Sequence, residues 1–356
     1  MEPLTTQSQV PRINAIYQCG NLQQSAHMIE TETQAQTIHS DTTPTISVIT
    51  PAYNAAKYIG EALDSVLNQT FASHEVIVIN DGSPDTDELE REIERYPATI
   101  RYIKQENRGA AAARNVGLRC ARGEYVAFLD SDDRWLPNFL SDQLELLKSS
   151  NADVVFSDAV LFGESVLAGR TFMELDPPKS SVTPESLLAA DVTILTSSVV
   201  ARKKPVFDVG LFDEKMKRGH DFELWFRLAK AGARFAYQRR VLAEYRIDES
   251  GLSGNALSQL YRTLSVLEAI KAKEALTQSE EAALNVSMKR TQGVIALETG
   301  KEKLRERDFE GALECFKEAG RYRPSWKLRL VSLGVRIAPE TVRRLHQRRN
   351  GAPASD

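Results

Sequence analysis

Short apolar runs alternate with segments of helical periodicity over the first patterned part of the chain. The apolar runs predict four buried strands, at residues 45–50, 75–79, 100–103 and 124–129. A helix is predicted after each of the first three runs: the first has apolar residues at helical spacing, the second is charged and the third is rich in Ala. Strands that alternate with helices in this way predict an α/β fold, in which a mostly parallel sheet is flanked by helices.

The middle of the chain is less regular. We predict a helix from just after Trp135 through residue 148 and a strand at 152–156, and residues 194–201 are strand-like. A further helix opens just before Asp221, which places this carboxylate in the first turn. The helix dipole favours an ionised carboxylate at that position.

Both ends of the chain depart from this pattern. Residues 1–43 are rich in Gln, Thr and Ser and poor in apolar residues, so we expect a flexible arm. Residues 255–349 have helical periodicity without strands and predict an all-α appendage after the α/β domain of residues 44–254. Residues 296–324 of the appendage resemble a tetratricopeptide hairpin, and a single hairpin is too short to form a repeat array.

Residues 325–349 form a basic tail of the appendage, with arginines interleaved among apolar residues. An amphipathic basic helix is typical of a segment that lies on an anionic membrane surface. A helix with one solvated charged face would have the same composition, so both interpretations stay open.

Composition narrows the function classes. The chain has 356 residues and a formal net charge of −4, which gives no overall basic surface for nucleic acid. Its three cysteines are scattered and odd in number, which favours a reducing compartment over a disulfide framework. No apolar run is long enough to predict a spanning helix, so we expect a cytoplasmic protein, in contact with the inner face of the membrane at most peripherally.

Polar loops follow the predicted strands. Residues 51–54, 80–83, 107–109 and 130–133 come where the four strands end. The carboxyl ends of parallel strands meet at one edge of a sheet, where ligands bind in folds of this class. Each loop alone is equally consistent with ordinary turn chemistry.

The last of these loops carries an acidic pair. In an extended backbone, Asp130 and Asp132 can point to the same side. Paired carboxylates suit Mg²⁺ or Mn²⁺, with substrate phosphate oxygens and water as the remaining ligands. The pair therefore predicts a metal and diphosphate site, with a turn or helix cap as the alternative.

Taken together, six segments in order resemble the inverting family 2 glycosyltransferases, which have the GT-A fold, a Rossmann-like sheet. The resemblance runs from about residue 45 to about residue 253. The matching segments are residues 47–54, 78–83, 107–115, 128–133, 210–214 and 219–227. Each segment is permissive by itself, and the ordered set is specific.

The resemblance implies a donor site for a nucleotide-diphospho-sugar. Pro51 and Tyr53 match the first loop that cradles the nucleotide, and Asp81 matches the carboxylate that hydrogen-bonds the base. Arg114 matches a contact on the donor side, and Asp130 matches a further donor contact. UDP is the nucleotide that the family implies.

The resemblance also implies a metal site and a general base. Asp130 and Asp132 match the family's D-x-D motif, with Asp132 preferred as the direct ligand of Mn²⁺ or Mg²⁺. Asp221 matches the carboxylate that takes the proton of the acceptor hydroxyl, and a helix cap is the alternative role for it.

Two departures from the family pattern concern histidine. His220 stands where a Glu commonly precedes the base, and we expect it to position the base or the acceptor, with an ordinary surface histidine as the alternative. Asp248 stands where the family often has His, and a metal or diphosphate contact there is the weaker interpretation. Trp135 is a candidate for contact with donor or acceptor, and core packing is as good an explanation.

Together these features predict a metal-dependent inverting glycosyltransferase of the hexosyltransferase type. It would move a sugar from a nucleotide-sugar donor to a hydroxyl of a glycan or lipid-linked glycan. The alternative is a catalytically inactive protein that binds a nucleotide-sugar or a partner through its helical tail. A nucleotidyltransferase is disfavoured because the loop after the first strand lacks the Gly-rich, basic character that holds a triphosphate.

Overall fold

The computed structural model describes residues 43–96, 100–247, 256–322 and 324–349. Of the predicted arm at residues 1–43, only Thr43 belongs to the described residues. Asp248 lies outside the described residues. The chain divides into two compact units. Of the described residues, the first contains those up to Ala159, Leu195–Glu214 and Ala236–Tyr245, and the second contains Val160–Ile194, Lys215–Phe235 and those from Arg246 onward.

The core of the first unit is an eight-stranded sheet. Its strands are β1 (Ile46–Ala52), β2 (His74–Asp81), β3 (Ile100–Gln105), β4 (Tyr125–Phe128), β5 (Arg134–Trp135), β6 (Val154–Phe162), β7 (Val199–Arg202) and β8 (Phe235–Arg246). They lie in the order β3-β2-β1-β4-β7-β6-β8-β5. The four predicted strands β1 to β4 are confirmed, with ends that differ by up to two residues.

The sheet is mixed rather than mostly parallel. Strands β3, β2, β1 and β4 pair in parallel, whereas β4 pairs with β7, β7 with β6, and β8 with β5 in antiparallel register. The prediction covered the parallel half, because its strands are near-continuous apolar runs, and also the strands β6 and β7 of the antiparallel half. It missed β8, in which Gln238, Arg239 and Arg240 interrupt the apolar pattern.

Helices of the first unit flank this sheet. They are α1 (Ile59–Leu67), α2 (Thr86–Ile93), α3 (Ala110–Cys120) and α4 (Phe139–Ser149), and a shorter helix in the same unit is α7 (Lys203–Asp208). Gly117 lets α3 approach the sheet closely, because a Cβ there would lie 2.5 Å from Ile49 Cγ2 and 2.9 Å from Ile79 Cδ1. This close packing fixes α3 beside the carboxyl ends of β1 and β2.

The second unit is mainly helical. Its helices are α5 (Phe172–Leu175), α6 (Pro184–Leu188), α8 (His220–Lys230), α9 (Ala256–Lys273), α10 (Gln278–Arg305), α11 (Phe309–Tyr322), α12 (Trp326–Ile337) and α13 (Pro339–Arg349). The all-α C-terminal region is therefore confirmed. Within the described residues, no helix is both long and apolar enough to cross a bilayer.

The predicted tetratricopeptide-like hairpin corresponds to the end of α10 packed against α11. Phe316 is 2% exposed, and a Cβ at Gly300 would lie 2.7 Å from its ring, so the two helices are in close contact. Leu304, Ala312, Phe316 and Val335 form a small apolar cluster. Because Val335 belongs to α12, this cluster also fixes α12 against the hairpin.

Candidate active site

Asp81, at the end of β2, is a buried carboxylate that organises the loop after β3. Its Oδ1 accepts hydrogen bonds from Gln105 Nε2 at 2.7 Å and from the Arg108 amide at 2.9 Å. Its Oδ2 accepts from the Gly109 amide at 2.8 Å. Asp81 is 3% exposed. This carboxylate therefore holds the loop that leads into α3, a structural role that the sequence pattern did not predict.

Glycines make the contact between these two loops feasible. Gly82 has a φ of 62°, and a Cβ there would lie 2.6 Å from the Asn107 amide nitrogen. Gly109 has a φ of 90° and immediately precedes α3. Only glycine adopts such angles without a steric cost, so both loops depend on these two residues.

The loops after β1 and β2 are joined by hydrogen bonds. The Asn54 amide donates to Ser83 Oγ at 2.6 Å, and the Ala56 amide donates to Asp85 Oδ2 at 2.8 Å. In contrast, the Tyr53 side chain is 55% exposed. Pro51 and Tyr53 are thus carried by an anchored backbone, and the Tyr53 ring is available to a ligand.

The Asn80 side chain fixes the start of the loop after β2. Its Oδ1 accepts from the Ser83 amide at 2.8 Å, and its Nδ2 donates to Tyr102 Oη at 2.7 Å. Burial is the main reason that the pKa of Tyr102 is raised, so this phenol stays neutral in the pH range of interest. Asn80 therefore fixes this loop through hydrogen bonds with a backbone amide and a neutral phenol.

Arg114 and Asp130 form a charged pair in the first unit. The Arg114 side chain is 6% exposed and lies on α3, and one of its guanidinium nitrogens donates to Asp130 Oδ1. The guanidinium also lies 5.7 Å from the Phe212 ring centroid. The structure thus brings together two residues that the sequence predicted for the donor site, from the end of β4 and from the first turns of α3.

Ser197 holds the acidic loop after β4. Its Oγ donates to Asp133 Oδ2 at 2.5 Å and accepts from the Asp130 amide at 3.1 Å, while its carbonyl accepts from Trp135 Nε1 at 2.7 Å. Residues Thr196–Ser198 form a 3₁₀ helix before β7, where the sequence predicted a continuous strand. Ser197 could not be recognised in the sequence, because its partners are more than 60 positions away along the chain.

Trp135 belongs to the core. It is 3% exposed, and its ring stacks on Phe139 with centroids 4.1 Å apart. The structure therefore favours core packing for Trp135 over contact with donor or acceptor. Its position directly after the acidic loop explains why the sequence suggested a ligand contact.

The three carboxylates of the acidic loop lie in different environments. Asp133 is buried with Ser197, Asp130 is partly buried with Arg114, and Asp132 is exposed. Among the residues that the structure describes, no three His, Cys, Asp or Glu side chains are grouped to hold a metal by themselves. The donor set nevertheless fits a hard cation, since two carboxylate residues two positions apart leave positions for phosphate oxygens and water.

A second segment of the resemblance packs against α3. Asn115 Nδ2 donates to the Phe212 carbonyl at 2.9 Å, and the Phe212 amide donates back to Asn115 Oδ1 at 3.0 Å. Glu214 accepts from Asn115 Nδ2 at 3.0 Å and pairs with Arg108 at 2.5 Å. The backbone of Phe212, whose ring lies near the Arg114 guanidinium, is therefore held by both polar atoms of the Asn115 side chain.

His220 and Asp221 open α8 in the second unit. Asp221 lies in the first turn, as predicted, and is partly buried. His220 is 8% exposed, so it is not an ordinary surface histidine. Gly219 precedes them with a φ of 67°, and a Cβ there would lie 2.2 Å from Val266 Cγ2 on α9. This start of α8 is therefore tightly constrained.

Further along α8, Arg227 forms a bidentate pair with Glu223. The two hydrogen bonds, from Nε and from a terminal guanidinium nitrogen, are 2.6 and 2.7 Å long. Glu223 is 4% exposed. The pair holds two charges inside the helical unit and gives Arg227 a structural role.

The fold and the loops define a glycosyltransferase of the GT-A type. Residues 47–186 match the family model described as glycosyl transferase family 2. The chain belongs to this family.

Three relatives support this assignment. An uncharacterised glycosyltransferase of Rickettsia typhi is 33% identical over 61% of this chain and 68% of its own length. The putative teichuronic acid biosynthesis glycosyltransferase TuaG of Bacillus subtilis is 30% identical over 68% of this chain and 96% of its own. The UDP-Glc:α-D-GlcNAc-diphosphoundecaprenol β-1,3-glucosyltransferase WfgD of Escherichia coli is 29% identical over 62% and 85%.

Solved structures share the fold. TarS 1–349 of S. aureus, in complex with UDP-GlcNAc, superposes with a TM-score of 0.57 at 20% identity, over 87% of this chain and 93% of that one. The mannosyltransferase PcManGT of Pyrobaculum calidifontis, in complex with GDP-Man and Mn²⁺, gives a TM-score of 0.58 at 17% identity, over 86% and 85%.

Proposed function

We propose that this glycosyltransferase is metal-dependent and inverting. It moves a hexose from a UDP-sugar to a hydroxyl of a glycan or lipid-linked glycan. The observation that carries the proposal is the edge of the sheet where the carboxyl ends of β1, β2 and β4 deliver Tyr53, Asp81 and Asp130 to loops held by hydrogen bonds. Such an edge is where α/β sheets of this kind bind nucleotides.

The donor would lie along this edge. Tyr53 offers an exposed ring beside the β1 loop, and Pro51 shapes the backbone below it. Asp81 uses both carboxylate oxygens to hold residues 105–109. Asp81 would therefore act on the nucleotide base mainly by positioning this loop. Its Oδ2, which accepts only one bond within the protein, could also accept a hydrogen bond from the nucleotide base. Arg114 supplies positive charge beside Asp130, which suits a diphosphate.

Asp132 and Asp130 would hold the divalent ion, with Asp132 as the direct ligand because it is exposed. When bound, the ion would offset negative charge on the departing nucleotide diphosphate. Asp130 enters this arrangement already paired with Arg114, so its carboxylate is pre-oriented by the protein. Ser197 keeps the backbone of the loop in place.

Asp221 is the proposed general base. Attack of the acceptor hydroxyl on the anomeric carbon forms one C–O bond as the bond to the diphosphate breaks, and the hydroxyl proton passes to the Asp221 carboxylate. Displacement from the opposite face inverts the anomeric configuration. General-base assistance of this kind contributes typically about 10²–10⁴-fold in rate. His220, buried next to the base, is proposed to position it.

The substrate class rests on the relatives. The name of WfgD states a UDP-sugar donor and a diphosphoundecaprenol-linked acceptor, and that of TuaG states teichuronic acid biosynthesis. We propose the same classes, a UDP-sugar and a polysaccharide or lipid-linked intermediate, for this chain. The scattered cysteines favour a cytoplasmic location.

Titration calorimetry with UDP, in Mn²⁺ and in chelator, tests the donor site. We expect metal-dependent binding that Asp132→Ala abolishes, while Asp208→Ala, an exposed Asp on α7, binds as the wild type does. Metal-independent binding of equal strength would overturn the metal assignment. A panel of UDP-sugars with acceptors, followed by NMR of the product anomer, tests turnover and inversion. UDP binding without turnover for any acceptor would favour the inactive nucleotide-sugar-binding alternative.

A further inference from the structure

Helix α12 carries an apolar stripe on its solvent side. Trp326, Leu330, Leu333 and Ile337 are spaced by four, three and four positions, which places them on one helical face. They are 67%, 57%, 52% and 74% exposed, respectively. Large apolar side chains that are this exposed and contiguous mark an interaction surface rather than chance exposure.

The opposite face of α12 is already occupied. Val335 is 2% exposed and belongs to the cluster with Leu304, Ala312 and Phe316, and Leu328 packs against the same cluster. The apolar stripe therefore plays no part in the fold of the hairpin. Since α12 is fixed along its inner side, the stripe is held at the surface of the helical region.

Basic side chains flank the stripe. At 100° per residue, Arg329 and Arg336 lie on one side of it and Lys327 on the other. Arg329 and Arg336 line an open groove of about 590 Å³ between α11 and α12, together with Lys317 and Arg321 from α11. No carboxylate lines this groove within the described residues. The four basic side chains that line the groove form no salt bridge with any described residue.

We propose that this face of α12 binds the surface of an anionic phospholipid bilayer. The stripe would enter the boundary between headgroups and acyl chains, with Trp326 at the headgroup level, while the flanking cations meet lipid phosphates. Long basic side chains suit this position because their stems stay with the apolar face and their charges reach the phosphates. This surface does not depend on the donor site or on turnover.

Charge complementarity selects the lipid surface over a second copy of this chain. The stripe is bordered by positive charge on both sides, so two copies that met through it would bring like charges together. A neutral bilayer would use only the stripe, whereas an anionic one uses stripe and cations. Binding should accordingly weaken as salt screens the charges.

Vesicle flotation with the full chain tests the proposal. We expect binding to phosphatidylcholine vesicles that contain phosphatidylglycerol, and little binding to phosphatidylcholine alone. Leu330→Glu with Ile337→Glu should abolish it, and Arg329→Gln with Arg336→Gln should weaken it roughly fivefold for each charge removed. Matched controls lie on α10: Val286→Glu, at a residue 65% exposed, and Lys289→Gln with Arg290→Gln should bind as the wild type does.

Tryptophan fluorescence gives an independent measurement. Trp135 and Trp225 are 3% and 1% exposed, so Trp326 is the residue that a bilayer can reach. We expect a blue shift on addition of the anionic vesicles that Trp326→Phe removes. Absence of binding, equal binding to both vesicle types, or wild-type binding by the stripe variant would overturn the proposal. A dimer that light scattering detects and that Leu330→Glu with Ile337→Glu dissociates would overturn it as well.

Discussion

Ser197 Oγ donates a 2.5 Å hydrogen bond to Asp133 Oδ2 across 64 positions of the chain. Ser197 Oγ also accepts a hydrogen bond from the Asp130 amide at 3.1 Å. Asp133 is 1% exposed, so its carboxylate depends on partners inside the protein. One hydroxyl therefore sets the shape of the loop that presents Asp130 and Asp132.

Ser197→Ala should destabilise the protein and weaken donor binding. Loss of the hydroxyl leaves a buried carboxylate and a backbone amide each without one bond, which costs about 1–3 kcal/mol of unfolding free energy. Metal-dependent UDP binding should weaken because the acidic loop loosens. Chemical denaturation and calorimetry measure the two effects. Ser149→Ala, whose hydroxyl bonds only within α4, is the control; a similar change in both variants would count against the special role of Ser197.

The strands that carry the donor loops could be predicted, and the contacts that shape the loops could not. β1 to β4 are apolar runs, and burial on both faces gives a pattern that is visible in the sequence. Ser197 and Asp133 are polar residues whose pairing exists only after β7 adds to β4. Similarly, Trp135 follows the acidic loop in sequence, yet the stacking on Phe139 turns it into the core.

Asp81→Asn should loosen the loop that leads into α3. The NH₂ group that replaces one carboxylate oxygen cannot accept, so the variant loses either the bond from the Gly109 amide or the two bonds from Gln105 and the Arg108 amide. We expect a loss of about 1–3 kcal/mol in unfolding free energy and weaker UDP binding. Asp87→Asn, on the exposed face of α2, is the matched control. Unchanged stability with weaker UDP binding would indicate that Asp81 acts on the nucleotide alone.

Asp221→Asn should abolish turnover while it leaves the UDP affinity unchanged. The amide cannot take a proton, so we expect a loss of about 10²–10⁴ in kcat. Stability should change little, because the side chain lies in the first turn of α8 and is only partly buried. Initial rates with an active acceptor and calorimetry with UDP measure the two effects. Retention of more than a tenth of the wild-type kcat would reject Asp221 as the base.

Glu75 should make stability depend on acid pH. Burial acts to raise the pKa of its carboxyl, but hydrogen bonds from the Arg122 amide and side chain, Ser47 and Arg101 outweigh it, and the pKa falls below its ordinary value of 4.5. The stabilisation is therefore fully present above pH 4.5 and is lost as pH falls through the folded-state pKa. Glu75→Gln should cost about 2 kcal/mol at neutral pH.

The difference in unfolding free energy between the wild type and Glu75→Gln should shrink as the pH is lowered below 4.5. Protonated Glu75 loses the charge that its partners favour, so the two proteins then become alike. Denaturant titrations across this pH range provide the measurement. Glu88→Gln, whose partner Arg91 is also exposed, should show no such trend. A difference that stays constant with pH would contradict the assigned direction.

Gly219→Ala should be more damaging than its small size suggests. Two costs combine at this residue: a φ of 67°, worth about 1–2 kcal/mol for a side chain, and a Cβ that would lie 2.2 Å from Val266 Cγ2. Gly232→Ala at the other end of α8 isolates the first cost, because its φ is 86° and nothing lies within 4 Å. Thermal and denaturant unfolding should show that Gly219→Ala is less stable than Gly232→Ala. When Val266→Ala is added to Gly219→Ala, the smaller side chain should make room for the new Cβ. The double variant should therefore lose less unfolding free energy than the sum of the two single variants. Equal losses at the two glycines would mean that α9 moves away freely, and that the start of α8, with Asp221, is not held by this contact.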